Sequence, residues 1–530
     1  MNRLARYLNR HISGNVYSAK RVLAAFSTDK SILEIQPKLV AVPNTTSDVR
    51  KLTRFSYELA EKGINLGLTV RGKGTDKTGA AIGNGVIVSF KEEMNKILEI
   101  DPRQKLVRVQ TGVSLRELNN ALSLHGLTIP IAATDRTIGG LIGNNYSGPM
   151  SYKYGGILDY VQQAEIVLSN GEVIQTEKLT KRMTKRKQSQ NNFEGQIYQD
   201  IVALLEREQM AIGALKVGGE LDNSGYKNIV KVDQNGIFNI LPLFFGAQGT
   251  LGIVTEVILE AEYFEELPLF LAAEFPDFES ASVIMHEASL LQPALMDIYE
   301  IDLMKEAEAS GKKATFFDDH LSSGLLLLVG FDDHRKRARQ KKINRLLGLL
   351  GENINYSVSN EDNYEDFLEI KEILSAYLND TSGGVRVPFL DDVMVRQEYL
   401  GEFFEGLSGL EKQFGLKLPV YGSVLSNVYS VRPELNLKKQ SDRILLFKLL
   451  KRYSAMVERL RGSITGGSPE GRVKAIVVEA EQDAKMAEIN AEIKAIFDPK
   501  NIFNPGVKTE VRLGDVVSQL RYDYDDGIIE

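Results

Sequence analysis

Arg71-Gly72-Lys73-Gly74-Thr75-Asp76-Lys77-Thr78-Gly79 is the stretch on which the reading of this 530-residue chain turns. It follows a β-rich run at residues 66–70. Closely spaced glycines let the backbone take positive φ and aim successive N–H groups at one anion, and Thr75 and Thr78 add hydroxyl donors. Arg71 supplies fixed positive charge. Such a turn divides evenly between a phosphate-binding loop and an ordinary strand-to-turn junction, so its companions decide.

A second cluster, Thr137-Ile138-Gly139-Gly140-Leu141-Ile142-Gly143-Asn144-Asn145, offers bare backbone against which a large planar ligand can lie, and Gly148 and Tyr154-Gly155-Gly156 extend it. A third runs from Phe245-Gly246-Ala247-Gln248-Gly249 through Thr250-Leu251-Gly252-Ile253-Val254-Thr255. Three clusters on one chain suggest a long ligand enclosed from several sides. Between them, β-rich runs at 39–42, 66–70, 85–90, 106–111, 163–168 and 252–259 and a helical period over 48–62 give β-α-β order and a mixed α/β class. A second unit starts near Leu267-Pro268-Leu269, where the glycine signatures stop. Its strands are read at 270–275, 324–329 and 385–389, and a helix over 480–497 is stopped by Asp498-Pro499.

Composition narrows the partners. A net charge of -7 and a pI near 5.6 give no field for a phosphate backbone, which excludes nucleic acid as the general partner. Lys181, Arg182, Lys185, Arg186 and Lys187 form one basic run, read as a solvated loop face, with contact to anionic lipid left open. With no cysteine there are no disulfides, thiolate-held zinc or cysteine-held iron–sulfur clusters. The basic N-terminus lacks the apolar core of a secretory signal, and no segment reaches the roughly 20 apolar residues of a membrane span. The expected location is the cytoplasm, with peripheral membrane contact open.

In order along the chain, the glycine segments resemble the FAD-binding domain shared by vanillyl-alcohol oxidase and p-cresol methylhydroxylase, in the branch of D-lactate and glycolate dehydrogenases. Arg71-Gly72-Lys73-Gly74-Thr75 resembles the pyrophosphate loop, with Met94-Asn95-Lys96-Ile97 downstream as in that branch. Asn223-Ser224-Gly225-Tyr226 and Gly249-Thr250-Leu251-Gly252 follow in the expected order. Phe497-Asp498-Pro499-Lys500-Asn501-Ile502-Phe503-Asn504-Pro505-Gly506 resembles the terminal segment that returns to the flavin domain.

The resemblance implies an α/β (α+β) fold: a two-lobed FAD-binding domain with an α+β cap domain over the isoalloxazine. An N-terminal arm is expected at 1–35, the FAD-binding domain at 36–265, the cap at 266–496, and a returning segment with an acidic tail at 497–530. FAD is expected to be held by Arg71, Gly72, Lys73, Gly74, Thr75, Asp76 and Gly79. The second segment would add Ile138, Gly139, Gly140, Gly143, Asn144, Asn145, Ser147, Gly148, Tyr154 and Gly155. Gly249, Thr250, Gly252, Ile253, Val254 and Asn504 complete the expected set. Attachment is expected to be non-covalent, since the chain has no cysteine and no histidine within the glycine segments.

Oxidising a 2-hydroxy acid needs a base for the hydroxyl proton and positive charge for the carboxylate. Relatives carry a histidine segment for metal and a Glu-His pair as base. Here Tyr421-Gly422-Ser423-Val424-Leu425-Ser426-Asn427-Val428-Tyr429-Ser430-Val431-Arg432 resembles the first, with Ser423 and Ser430 at the histidine positions. Gly462-Ser463-Ile464-Thr465-Gly466-Gly467-Ser468-Pro469-Glu470-Gly471-Arg472 resembles the second, with Gly467-Ser468 in place of Glu-His. Serine is a poor transition-metal ligand, so no metal is expected. Arg386, Ser423, Ser430, Arg432, Ser468 and Arg472 are the candidate pocket residues, the serines as polar walls; Glu470 is a further candidate for a different substrate. Two readings stay open: an FAD-dependent oxidoreductase for a 2-hydroxy acid or another alcohol or sugar, with an unnamed electron acceptor, and an FAD-binding protein without dehydrogenase chemistry.

Overall fold

Leu39-Val40-Ala41-Val42 is buried at every position, as a strand covered on both faces must be. In the computed structural model it is the second strand of a four-stranded sheet ordered Asn15–Tyr17, Leu39–Val42, Val86–Ser89, Leu68–Arg71. The structure describes residues 2–131, 136–215, 221–263, 268–309, 323–360 and 386–522, and within 361–385 only 363, 367, 370, 374, 377 and 378. The last three strands of this sheet run parallel, which requires a crossover, and helix Thr46–Glu61 supplies it. The helix starts where Thr45 accepts from the Asp48 N–H.

A second, five-stranded antiparallel sheet is ordered Ile97–Asp101, Leu106–Gln110, Ile253–Glu260, Val161–Val167, Val173–Gln175. The alternation of buried and half-buried residues along Ile253–Glu260 fits a sheet with one face on a core. The glycine-rich loops lie at the junction of these two sheets.

The cap is a seven-stranded antiparallel sheet ordered Asn355–Val358, Leu269–Phe275, Leu325–Phe331, Leu295–Glu300, Val420–Ser423, Val428–Val431, Leu390–Met394. Helices such as Phe278–Leu290 and Gln440–Arg459 cover it. Ile32, Leu33 and Ile35 of the N-terminal arm pack into its core.

Several local readings shift. The strand expected at 385–389 lies at Leu390–Met394 instead; Pro388 has no N–H for a ladder, and the strand begins beyond it. The helix expected over 480–497 is two helices, Ala475–Glu481 and Ala484–Phe497, because the Asp483 carboxylate caps the second by accepting from Lys485 and Met486 N–H. Met486, Ile489, Ile493 and Phe497 of that helix pack into the core of the second sheet. Asn504 then donates its N–H to the Leu68 carbonyl, extending the first sheet. The basic run is an exposed helix, Lys181–Gln188, not a loop. The acidic tail lies outside the described residues. Among the described residues no helix is long and apolar enough to cross a membrane.

Candidate functional site

The strand Leu68–Arg71 ends in the loop expected to hold a phosphate, and its side chains shape the loop from within. Asp76 accepts from the N–H groups of Thr78 (2.9 Å) and Ala80 (2.8 Å), so it staples the turn. Arg71 donates to the Thr28 carbonyl at 2.7 Å and packs over Phe26. Gly74 has φ of 69°, and a β-carbon there would meet the Arg71 guanidinium. Among the described residues the N–H groups of Gly74 and Thr75 donate to no protein acceptor.

These groups line a cleft with about 920 Å³ of free space, part of it open to solvent. Arg71, Gly72, Lys73, Gly74, Thr75 and Asp76 form one wall; Gly139, Gly140, Gly143 and Asn144 form a second; Gly249, Gly252 and Val254 form a third. Val70, Phe90, Ile142 and Phe244 add apolar surface, and Gln248 of the third glycine cluster and Arg136, outside all three, add polar groups. Free backbone donors, cationic side chains and flat apolar walls in one long cleft fit the pyrophosphate and the planar rings of FAD.

The remaining expected cofactor residues lie behind or beside the cleft. Asn504 stitches it: Nδ2 donates to the carbonyls of Ala80 and Gln248, both at 2.8 Å, while Oδ1 accepts from Thr69. Gly79 closes the loop at φ of 82° and gives its carbonyl to Arg472. Asn145 donates to Asn223 at 2.8 Å, and Asn223 reaches the Gly466 carbonyl at 2.9 Å. Thr250 is buried against Tyr226, and Ile138 and Ile253 belong to hydrophobic cores. Gly148 packs on the Tyr146 ring; Ser147 and Gly155 line a separate cavity with Ser151, Arg396 and Asn427. The Tyr154 hydroxyl and the Lys153 ammonium both reach Asp332 of the cap, the latter at 2.5 Å.

The catalytic candidates separate into two groups. Arg472 gives its guanidinium to four backbone carbonyls, Gly79, Ile82, Pro505 and Gly506, and acts as a clamp between loop and returning segment. Arg386 pairs with Glu306 at 2.5 Å. Ser423 donates to the Pro149 carbonyl at 3.3 Å. None of these three aims a free polar group at the cleft.

Arg432, Ser430 and Ser468 instead surround a pair of carboxylates that sequence reading passed over. Asp391, 1% exposed, receives Arg432 at 2.7 Å and Lys77 of the phosphate loop at 2.6 Å. The Asp392 N–H donates to Ser430 Oγ at 3.3 Å. Burial opposes the charge of Asp392, yet Lys77, Lys474 and Arg136 outweigh it and, with the adjacent Ser468 hydroxyl, hold the carboxyl at about 2. Lys474 is itself anchored on the carbonyls of Asp391 and Ile464. Three cations, Lys77, Arg432 and Lys474, thus face two carboxylates where the phosphate loop meets the cap. Adjacent Asp-Asp residues were visible in the sequence, but nothing there placed them against Lys77.

Comparison with known proteins agrees with this geometry. Residues 37–177 match the FAD binding domain and residues 269–507 the C-terminal domain of FAD linked oxidases. The chain is 26% identical to D-2-hydroxyglutarate dehydrogenase of Escherichia coli (strain K12), covering 91% of this chain and 49% of that protein. It therefore spans about half the length of the D-2-hydroxyglutarate dehydrogenases it matches. D-lactate dehydrogenase of Archaeoglobus fulgidus is 24% identical over 88% of this chain and 90% of its own. In fold, 4-ethylphenol oxidase from Gulosibacter chungangensis superposes with a TM-score of 0.68 at 14% identity, covering 96% of this chain and 97% of that one. The chain belongs to the FAD-linked oxidase family of flavoproteins, with an FAD-binding domain and cap of the p-cresol methylhydroxylase type.

Proposed function

We propose that this protein is an FAD-dependent dehydrogenase of small 2-hydroxy acids, holding its cofactor non-covalently through the loop Gly72–Thr75 and the walls formed by Gly139, Gly140 and Gly249. The observation that carries the substrate class is the gathering of Lys77, Arg432 and Lys474 where the phosphate loop meets the cap, with Arg136 adding a further cation beside the cleft. A small anion entering there meets these cations. The relatives' names, which concern hydroxy acids, support the same class.

FAD, when bound, supplies a two-electron acceptor. The protein's own work is to orient and to exclude water. Asn145, Asn223 and Gly466 link the second flavin segment to the cap through consecutive hydrogen bonds, fixing the cap over the cleft. Lys77 and Arg432 share Asp391, which holds both cations still.

The histidine positions occupied by Ser423 and Ser430 favour the second reading, an FAD-binding protein without dehydrogenase chemistry, and one experiment separates the two. The purified holoprotein is mixed anaerobically with D-lactate, glycolate, D-2-hydroxyglutarate and a set of sugars while the flavin band is followed. Bleaching by a hydroxy acid supports the proposal. Bleaching by a sugar alone overturns the substrate class, and a flavin that no compound bleaches overturns the activity.

A further inference from the structure

Of the four positions at which relatives carry metal and base residues, three lie against Asp392 here, Ser430, Gly467 and Ser468, while Ser423 bonds to the Pro149 carbonyl. Ser430 Oγ accepts from the Asp392 N–H. Gly467 leaves no room for any side chain, since a β-carbon would lie 3.0 Å from Asp392 Cβ and 2.8 Å from Val428 Cγ1. The Ser468 hydroxyl, buried and without a hydrogen-bond partner among the described residues, lies near the carboxylate and favours its charged form.

The backbone is shaped to deliver that aspartate. Asp392 has φ of 61°, a left-handed conformation that costs a non-glycine residue about 1 kcal/mol or more. It sits in a bulge of the edge strand, where the pairing register with Val428–Val431 shifts between Leu390 and Val393. Bulges re-aim side chains, and this one leaves Asp392 half-buried, with Lys77 of the phosphate loop and Arg136 of the cleft wall among the charges that act on it. Its neighbour Asp391, by contrast, is spent on Arg432 and Lys77.

We propose that Asp392 is the catalytic residue that takes the substrate hydroxyl proton, in place of the histidine that stands in relatives where this chain has Ser468. The inference rests on the dehydrogenase reading above. In the balanced step the substrate O–H bond breaks and its proton forms a new O–H bond on Asp392. The C–H hydrogen leaves with its electron pair to FAD, so that the carbinol carbon becomes a carbonyl and FAD gains two electrons. In the free protein Lys77, Arg136 and Lys474 hold Asp392 in its weakly basic form. A substrate carboxylate seated against those cations neutralises part of their field and adds a like charge, which raises the basicity of Asp392 only when substrate is present. Among the other titratable groups near it, Tyr146 faces it from the second glycine segment, stacked under Arg136 at 4.4 Å.

The test uses the FAD-loaded protein and D392N, a substitution that keeps the left-handed backbone because asparagine adopts it readily. Anaerobic flavin reduction by the best hydroxy acid falls by about 10² to 10⁴ in D392N if the proposal holds. Oxalate, which carries a negative oxygen where the substrate has its hydroxyl, gives a second readout through its perturbation of the flavin band. In the unsubstituted protein its affinity falls about ten-fold per pH unit throughout the range well above the free-protein value of about 2, because Asp392 must take up a proton to admit it. In D392N the affinity is tighter and independent of pH, and S468A shifts the wild-type profile towards higher pH. Equal reduction rates, or oxalate profiles that coincide in the two proteins, overturn the role of Asp392 while leaving the dehydrogenase reading intact. A flavin that no hydroxy acid bleaches overturns the dehydrogenase reading, and the oxalate profiles then still decide whether Asp392 faces the ligand.

Discussion

Glu470 and Lys508 meet as an ion pair 2.8 Å apart with side chains 1% and 0% exposed. Lys508 comes from the returning C-terminal segment, and Glu470 from the segment that carries Gly467 and Ser468. Glu470 also accepts from the Gly225 N–H at 2.8 Å, and Lys508 donates to the Asn223 carbonyl at 3.2 Å. Three chain segments far apart in sequence are therefore fastened at one buried point directly behind the site.

Removing one partner of a buried pair leaves a bare charge, which costs about 3–5 kcal/mol. K508M is expected to lower the unfolding midpoint of the FAD-loaded protein by several degrees. The double variant E470Q/K508M, which keeps an acceptor for Gly225 and strands no charge, is expected to recover most of that loss. Thermal unfolding followed by circular dichroism decides it; a double variant as damaged as K508M would mean that the charge pair is not the cause.

Asp29 lies beneath the phosphate loop and accepts from Ser31 N–H at 2.9 Å and Ala81 N–H at 3.3 Å. Burial, and then the neighbouring charge of Asp76, push its carboxyl up to about 7. Below about pH 4 the group is protonated in both the folded and the unfolded chain. Between about 4 and 7 the unfolded chain gives up its proton first, so stability falls as pH rises and levels off above the folded value. D29N removes this linkage. Its stability relative to the unsubstituted protein should rise by on the order of a few kcal/mol between pH 4.5 and pH 8, measured by urea unfolding at both pH values. A difference that does not change with pH would place the Asp29 carboxyl in its ordinary range.

How far the sequence could be read followed from how local each signal was. The Gly72–Thr75 turn and the Gly139–Gly140 pair announce themselves because a positive φ or a close approach is written in consecutive residues, and they line the cleft. Arg472 reads from sequence as a pocket residue, but its four carbonyl partners lie near positions 80 and 505, and no spacing rule connects them. The cluster around Asp391 and Asp392 was invisible for the same reason, since Lys77, Arg432 and Lys474 reach it from three distant segments. The serines at 423, 430 and 468 were legible as losses. What stands beside the last two depends on a bulge and a left-handed residue, and neither has a composition that marks it in advance.

Gly72 offers a direct check that the cleft is the FAD site. A β-carbon there would lie 2.1 Å from Thr137 Oγ1, and that hydroxyl caps the next glycine segment by accepting from the Gly140 N–H at 3.2 Å. G72A must therefore push Thr137 off its cap and disturb two walls of the cleft at once. FAD affinity, measured by fluorescence of the released cofactor, is expected to fall at least about ten-fold, a loss of about 1.4 kcal/mol. Gly213 provides the matched control: it lies in helix Gln209–Leu215 with nothing within 4 Å of where a β-carbon would stand. G213A should leave FAD affinity unchanged and stabilise the protein by about 0.5–1 kcal/mol through helix propensity. If G72A bound FAD as tightly as G213A, the cofactor would have to lie elsewhere than between the loop and the Thr137 segment.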